Sequence, residues 1–117
     1  AAISADAAEH AGLSALAAAT ADVTDYMLNA DIDDRLAGSY AYTNMMAVAT
    51  SGWLMLKQLR AAQAAIANGD TGAFLRAKVA ACRYYLDVMV PEAMAFKGSA
   101  MVGAELLYAI DAEELAA

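Results

Sequence analysis

Histidine, cysteine, tryptophan and proline each occur once in these 117 residues, and there are only two phenylalanines. A lone cysteine, Cys82, excludes an internal disulfide and fits a reducing compartment such as the cytoplasm. Basic residues are also few, seven against fourteen acidic ones, for a net charge of −7. Such a chain repels phosphate backbones and anionic lipid surfaces, so neither nucleic acid nor a membrane is expected as a partner. One proline and seven glycines argue against long disordered stretches. No basic segment followed by an apolar run opens the chain, so no signal peptide is expected. The longest apolar-rich stretch, Met45 to Leu56, contains Thr50, Ser51 and Gly52 and falls short of the roughly 20 residues that span a bilayer. It reads as a buried helix. The chain opens on Ala1 rather than Met, which is consistent with a piece of a larger protein.

Alanine is abundant instead, 33 residues in all. Alanine loses no side-chain entropy in a helix and lets helices approach closely. The length suits one domain, and no segment shows the alternation of a strand. Four principal helices are expected. The first runs from about Ser4, its cap, to Leu28, with Leu13, Leu16, Thr20, Val23 and Met27 forming a buried stripe. Ala30 to Asp34 makes a turn whose aspartates suit N-cap duty. The second runs from Arg35 to Ala67, with a bend at Ser51-Gly52, and stops at Asn68-Gly69. Its middle is apolar nearly all round, which makes it central or sandwiched between this domain and another body. Asp70 or Thr71 caps the third, Gly72 to Val90, whose stripe is Leu75, Val79, Cys82, Leu86 and Met89. Pro91 kinks that helix or starts the fourth, Pro91 to Ile110, which breaks at Gly98. Asp111 to Glu114 has capping-box spacing and starts a short final turn. Short links between long helices imply an all-α, up-and-down antiparallel bundle of about four helices.

No catalytic or metal-binding set emerges. Asn29, Asp31 and Asp33 imitate the start of a calcium loop, but Asp34 replaces the required glycine and Tyr40 the bidentate glutamate. A di-iron centre needs Glu-x-x-His pairs, and the only histidine, His10, follows no glutamate at that distance. Cys82 lies on an apolar stripe with no histidine near it in sequence, which suits a small buried side chain. Serine nucleophile chemistry lacks its elbow motif and has one imidazole at most. Asn68 to Gly72 resembles a phosphate loop only superficially, without its lysine ending or its strand. Ser99 and Gly103, four apart, suit close packing against a neighbouring helix. Tyrosine combines an apolar ring with a polar tip and is favoured at interfaces. Tyr40, Tyr42, Tyr84, Tyr85 and Tyr108 are of this kind, and Tyr40, Tyr42, Met45, Met46, Trp53, Tyr84 and Tyr85 are the candidate interface residues, although the methionines as a group suit core filling better than an adaptable surface.

Several segments, taken in order, carry a resemblance: Gly52 to Leu56 (GWLML), Phe74 to Tyr85 (FLRAKVAACRYY), Leu86 to Ala95 (LDVMVPEAMA) and Gly103 to Asp111 (GAELLYAID). Together they resemble the C-terminal helical extension of a subgroup of acyl-CoA dehydrogenases similar to 3-methylmercaptopropionyl-CoA dehydrogenase. The likeness reaches from the first helix to Asp111. It implies a parent enzyme that binds FAD and oxidises an acyl-CoA at its α,β carbons, using a glutamate base and flavin as hydride acceptor. Those groups would lie upstream, and none maps onto a residue of this chain. The resemblance also implies a packing and assembly role. The partners would be the dehydrogenase body of the same chain or a neighbouring subunit. A free-standing interaction module, such as a homodimer, is the alternative.

Overall fold

The computed structural model describes residues 2–117, and among them there is no strand. The all-α, up-and-down arrangement expected from the sequence is present. It is an elongated slab, 68 × 31 × 16 Å across its Cα atoms. Its spine is α3 (Ile32–Ala67), 36 residues that run unbroken through Ser51-Gly52. At 1.5 Å per residue this helix is about 54 Å long. Asp31 caps it by accepting the Asp34 N–H at 3.0 Å. Gly69, with φ of +100°, ends the turn beyond it, as Asn68-Gly69 predicts.

The chain reaches α3 through two helices where the sequence predicts one. α1 (Ala2–Asp6) passes through a 3-10 turn, Ala7–Glu9, before α2 (Ala11–Asn29) begins. Ser4 lies inside α1, and the cap of α2 is His10, in extended conformation with its Nδ1 accepting the Leu13 N–H at 3.1 Å. The reason for the break is tertiary. Asp6 accepts the Trp53 indole N–H at 2.7 Å, Arg60 donates to the Asp6 carbonyl at 2.9 Å, and Ala7 is buried. A straight helix from Ser4 would forgo these bonds. The α2 stripe is as expected: Leu13, Leu16, Thr20 and Val23 are buried, with Met27 packed against the core.

After the turn, α4 (Ala73–Tyr84) starts at Gly72 with no side-chain cap; Asp70 instead accepts the Gly72 N–H within the turn, at 2.9 Å. A π turn, Tyr85–Met89, joins α4 to α5 (Val90–Ala93), and the Val90 N–H reaches back to the Tyr85 carbonyl. Pro91 has no N–H, and its ring would press on the carbonyl four residues earlier. The wider turn just upstream accommodates it, so the helical path continues through the proline. The extra residue also moves the core position: Val90 is fully buried and Met89 is exposed, where the even spacing predicts Met89 inside. Helix α6 (Phe96–Met101) follows a tight turn at Met94-Ala95. Gly98 lies within α6 rather than breaking it, and Gly103, at φ of +79°, ends it. A 3-10 turn, Glu105–Tyr108, and α7 (Ala112–Leu115) complete an exposed tail.

Two ladders of contacts set the packing. Met27, Thr24 and Leu13 of α2 lie against Gly38, Tyr42 and Gly52 of α3, so the two helices run antiparallel. Ala104, Ala100, Phe96, Val90 and Cys82 lie in turn against Asp34, Gly38, Tyr40, Gly52 and Met55. The whole arm from α4 to α6 therefore runs antiparallel to α3 and alongside nearly its full length. The third and fourth expected helices are successive parts of this arm, not neighbours that reverse on each other. The core lies where the three rods meet, around Leu13, Leu16, Met45, Leu86 and Val90. Burial of each such side chain stabilises the fold by about 1.5–3 kcal/mol.

Candidate functional site

The described residues line two concavities of comparable size, among others. The larger, about 470 Å³, is a groove among α1, α2 and α3 lined by small and apolar side chains, including Ile3, Ala17, Met46 and Ala49. Two of its hydroxyls are engaged within the fold. Thr20 donates to the Leu16 carbonyl at 2.7 Å, and Thr24 bonds the Thr20 carbonyl and the Tyr42 hydroxyl. The other, about 430 Å³, has an acidic wall of Asp22, Asp25 and Asp34 with Tyr26 beside it. Desolvation raises the Tyr26 hydroxyl above its ordinary pKa of 10.0, and the carboxylates of Asp34 and Asp31 add to the effect.

A flavin dinucleotide carries a pyrophosphate, which needs basic side chains or convergent N–H donors. Neither lining offers them: the first has only Asp25 as a charged group and the second has three carboxylates. These residues do not fit FAD. Among the described residues no three His, Cys, Asp or Glu side chains converge to hold a metal.

The residues with chemical potential are held in structural tasks. His10 accepts with Nδ1 from Leu13 and lies with Nε2 at 3.3 Å from the Asp87 carboxylate, which assigns the neutral tautomer that donates from Nε2. Cys82 is fully buried with its Sγ 3.8 Å from the Met55 sulfur. The Asp6 carboxyl is lowered from its ordinary 3.8, chiefly by the Trp53 indole N–H and further by Lys57, against a smaller opposing effect of desolvation. Lys57 lies 3.7 Å from that carboxylate and 4.2 Å above the Trp53 ring. Asp34, on the first turns of α3, accepts the Ala104 N–H at 2.8 Å and so ties the end of α6 to the start of the spine.

The seven candidate interface residues do not form one surface. Met45 is fully buried in the core. Tyr42 is half-buried and turned toward α2, where its hydroxyl meets Thr24 at 2.7 Å. Trp53 is half-buried against the N-terminal segment. Tyr40 is 74% exposed, its ring edge-on to Phe96 at 6.2 Å. Met46 is exposed at the groove between α2 and α3. Tyr84 is exposed at the end of α4, and Tyr85 is half-buried at the start of the π turn. Ser99 is exposed, but Gly103 does approach α3, where an added Cβ would lie 2.9 Å from Asp34 Oδ1, and Ala100 makes the closest approach, against Gly38.

Other exposed apolar residues, Tyr108 apart, were not singled out from the sequence. Leu36 and Leu54 stand on the outer face of α3, and Leu106, Leu107, Tyr108 and Leu115 stand on the tail. The α3 pair was detectable in principle, because it recurs at helical spacing. The buried face of the same helix recurs at that spacing too, so periodicity alone did not say which stripe was covered.

A family model described as "Acetyl-CoA dehydrogenase C-terminal like" matches residues 2–111. No curated protein and no solved structure matched the chain.

Proposed function

The chain belongs to the acetyl-CoA dehydrogenase C-terminal-like family, and from that membership we propose that it is the non-catalytic structural and assembly domain of an FAD-dependent acyl-CoA dehydrogenase. Its parent oxidises an acyl-CoA to the 2,3-enoyl-CoA, with flavin supplying the hydride acceptor from another part of the protein. The partner of this domain is the dehydrogenase body of the same chain or a neighbouring subunit. Within that family, the order of the segments from Gly52 to Asp111 favours a parent similar to 3-methylmercaptopropionyl-CoA dehydrogenase.

The observation that carries this reading is the match over residues 2–111. The linings of the two concavities support it, since neither suits a flavin pyrophosphate. So does the commitment of His10 to a helix cap and of Asp6 to Trp53 and Lys57. The tail supports the assembly role, because Leu106, Leu107, Tyr108 and Leu115 are each more than two-thirds exposed. An apolar row of that kind suits a surface that another body covers.

The reading frame that contains this segment provides the test. It should encode a flavin-binding dehydrogenase body, and a variant lacking residues 2–117 should retain bound flavin while losing stability or subunit assembly. A frame with no dehydrogenase body would remove the proposal. Loss of the flavin site together with intact assembly would argue against the assembly role.

A further inference from the structure

We propose that the solvent face of α3 binds a second copy of this chain, helix against helix and antiparallel, about a two-fold axis near Met45. The inference stands on the geometry of α3 and does not depend on the parent enzyme. Opposite the buried side of α3, at alternating three- and four-residue intervals, run Asp33, Leu36, Tyr40, Thr43, Ala47, Thr50, Leu54 and Lys57, all exposed. This is the spacing of a coiled-coil seam, on the side of the helix away from α2 and the arm, touched within the chain only at its margins, where Tyr40 meets Phe96, Lys57 meets Asp6 and Thr50 borders the groove beside α1.

A two-fold interface must be self-complementary: where residue i of one copy meets residue j, j must meet i. This stripe meets that demand when read in opposite directions from its middle. Thr43 then faces Ala47 of the other copy, Tyr40 faces Thr50, Leu36 faces Leu54 and Asp33 faces Lys57. Small residues at the centre permit close approach of the two backbones, and leucines close the seam on either side. Its length, over 24 residues, is about 36 Å.

Charge selects both the partner and its direction. The chain has fourteen acidic residues, yet none lies between Arg35 and Ala67. The acids of α3, Asp33 and Asp34, sit at its start, and Lys57 and Arg60 sit past its middle. Antiparallel copies bring these opposite charges together, whereas parallel copies would stack like on like. Lys57 is half-exposed, and its ammonium has three donors, so its contact with Asp6 leaves capacity for a second carboxylate.

Sedimentation equilibrium of the 117-residue chain, from low micromolar to submillimolar concentration, tests the proposal. A monomer–dimer equilibrium is expected. Ala47→Glu puts a carboxylate beside the axis in each copy and should weaken the dimer by about 100-fold. Helix content by circular dichroism should be unchanged, because position 47 is exposed. Ala18→Glu, on the exposed side of α2, should leave the dimer intact. Asp33→Lys should weaken it by setting an ammonium against Lys57 of the other copy, and Asp33→Glu should not. A chain that stays monomeric throughout overturns the proposal. So does a dimer indifferent to Ala47→Glu, which would place the contact elsewhere, as on the tail. A dimer that Ala47→Glu breaks but Asp33→Lys leaves unchanged overturns the antiparallel pairing.

Discussion

The two halves of α3 are held by different physics. From Ile32 to Gly52 the spine is flanked by α2 on one side and by the arm on the other, and contact is close enough to require glycine. A Cβ at Gly38 would collide with the Ala100 carbonyl oxygen and lie 2.8 Å from Met27 Cε. From Trp53 onward, α4 buries only Cys82 of its own residues, and the N-terminal segment is joined by polar links. These are Trp53 to Asp6, Lys57 to Asp6 and Arg60 to Glu9. One half is specified by close backbone approach; the other buries Leu56, Leu59 and Ala62 and adds charge and hydrogen bonds to the N-terminal segment. Shape complementarity at a backbone is unforgiving, because a carbonyl cannot move without its helix. Exposed ion pairs contribute little individually and are screened by salt.

Substitutions can break that contrast or sharpen it. Gly38→Ala should do most harm, because the added methyl meets backbone: a loss of about 3 kcal/mol is expected, read from urea unfolding at constant m. Asp34→Ala removes the acceptor for the Ala104 N–H and should cost about 2 kcal/mol. Faster amide exchange at Ala104 should accompany it. Gly52→Ala is buried as deeply as Gly38, but its Cβ would meet the tips of Leu13 and Val90, each at 2.9 Å. Those side chains can shift, and alanine is the better helix former. The net change should stay within about 1 kcal/mol. A Gly52→Ala loss as large as that of Gly38→Ala would contradict the distinction between backbone and side-chain neighbours.

The polar links to the N-terminal segment should answer to pH instead. The folded Asp6 carboxyl is held below its ordinary 3.8. Its contribution is therefore fully present above that value and is lost as pH falls through the lower, folded one. Thermal melts of the wild type and of Asp6→Asn should differ at neutral pH and converge in acid below 3.8. A difference that persists unchanged there would remove the charge from the account.

What the sequence disclosed follows the same division. Local chemistry was legible: Asp31 as a cap, Asn68-Gly69 as a stop, the α2 stripe, and the central place of the apolar second helix. Long-range causes were not. The first helical segment ends at Asp6 because of its bonds with Trp53 and Arg60, which lie 47 and 54 residues away in sequence. The π turn arises from Pro91 meeting a core that needs Val90 inside, and its effect on the stripe cannot be read from even spacing. The candidate surface was the least legible part. An aromatic or methionine on α3 can face the core, as Met45 does, or water, as Tyr40 does. Only the packing of α2 and the arm decides between them.

The central claim is that these side chains fill an interior and present surfaces but assemble no reacting centre. Calorimetric titration of the 117-residue chain with FAD, and then with an acyl-CoA in the presence of an electron acceptor, tests it most directly. No saturable flavin binding and no turnover are expected. Stoichiometric yellow complex, or enoyl-CoA formed by the chain alone, would contradict it.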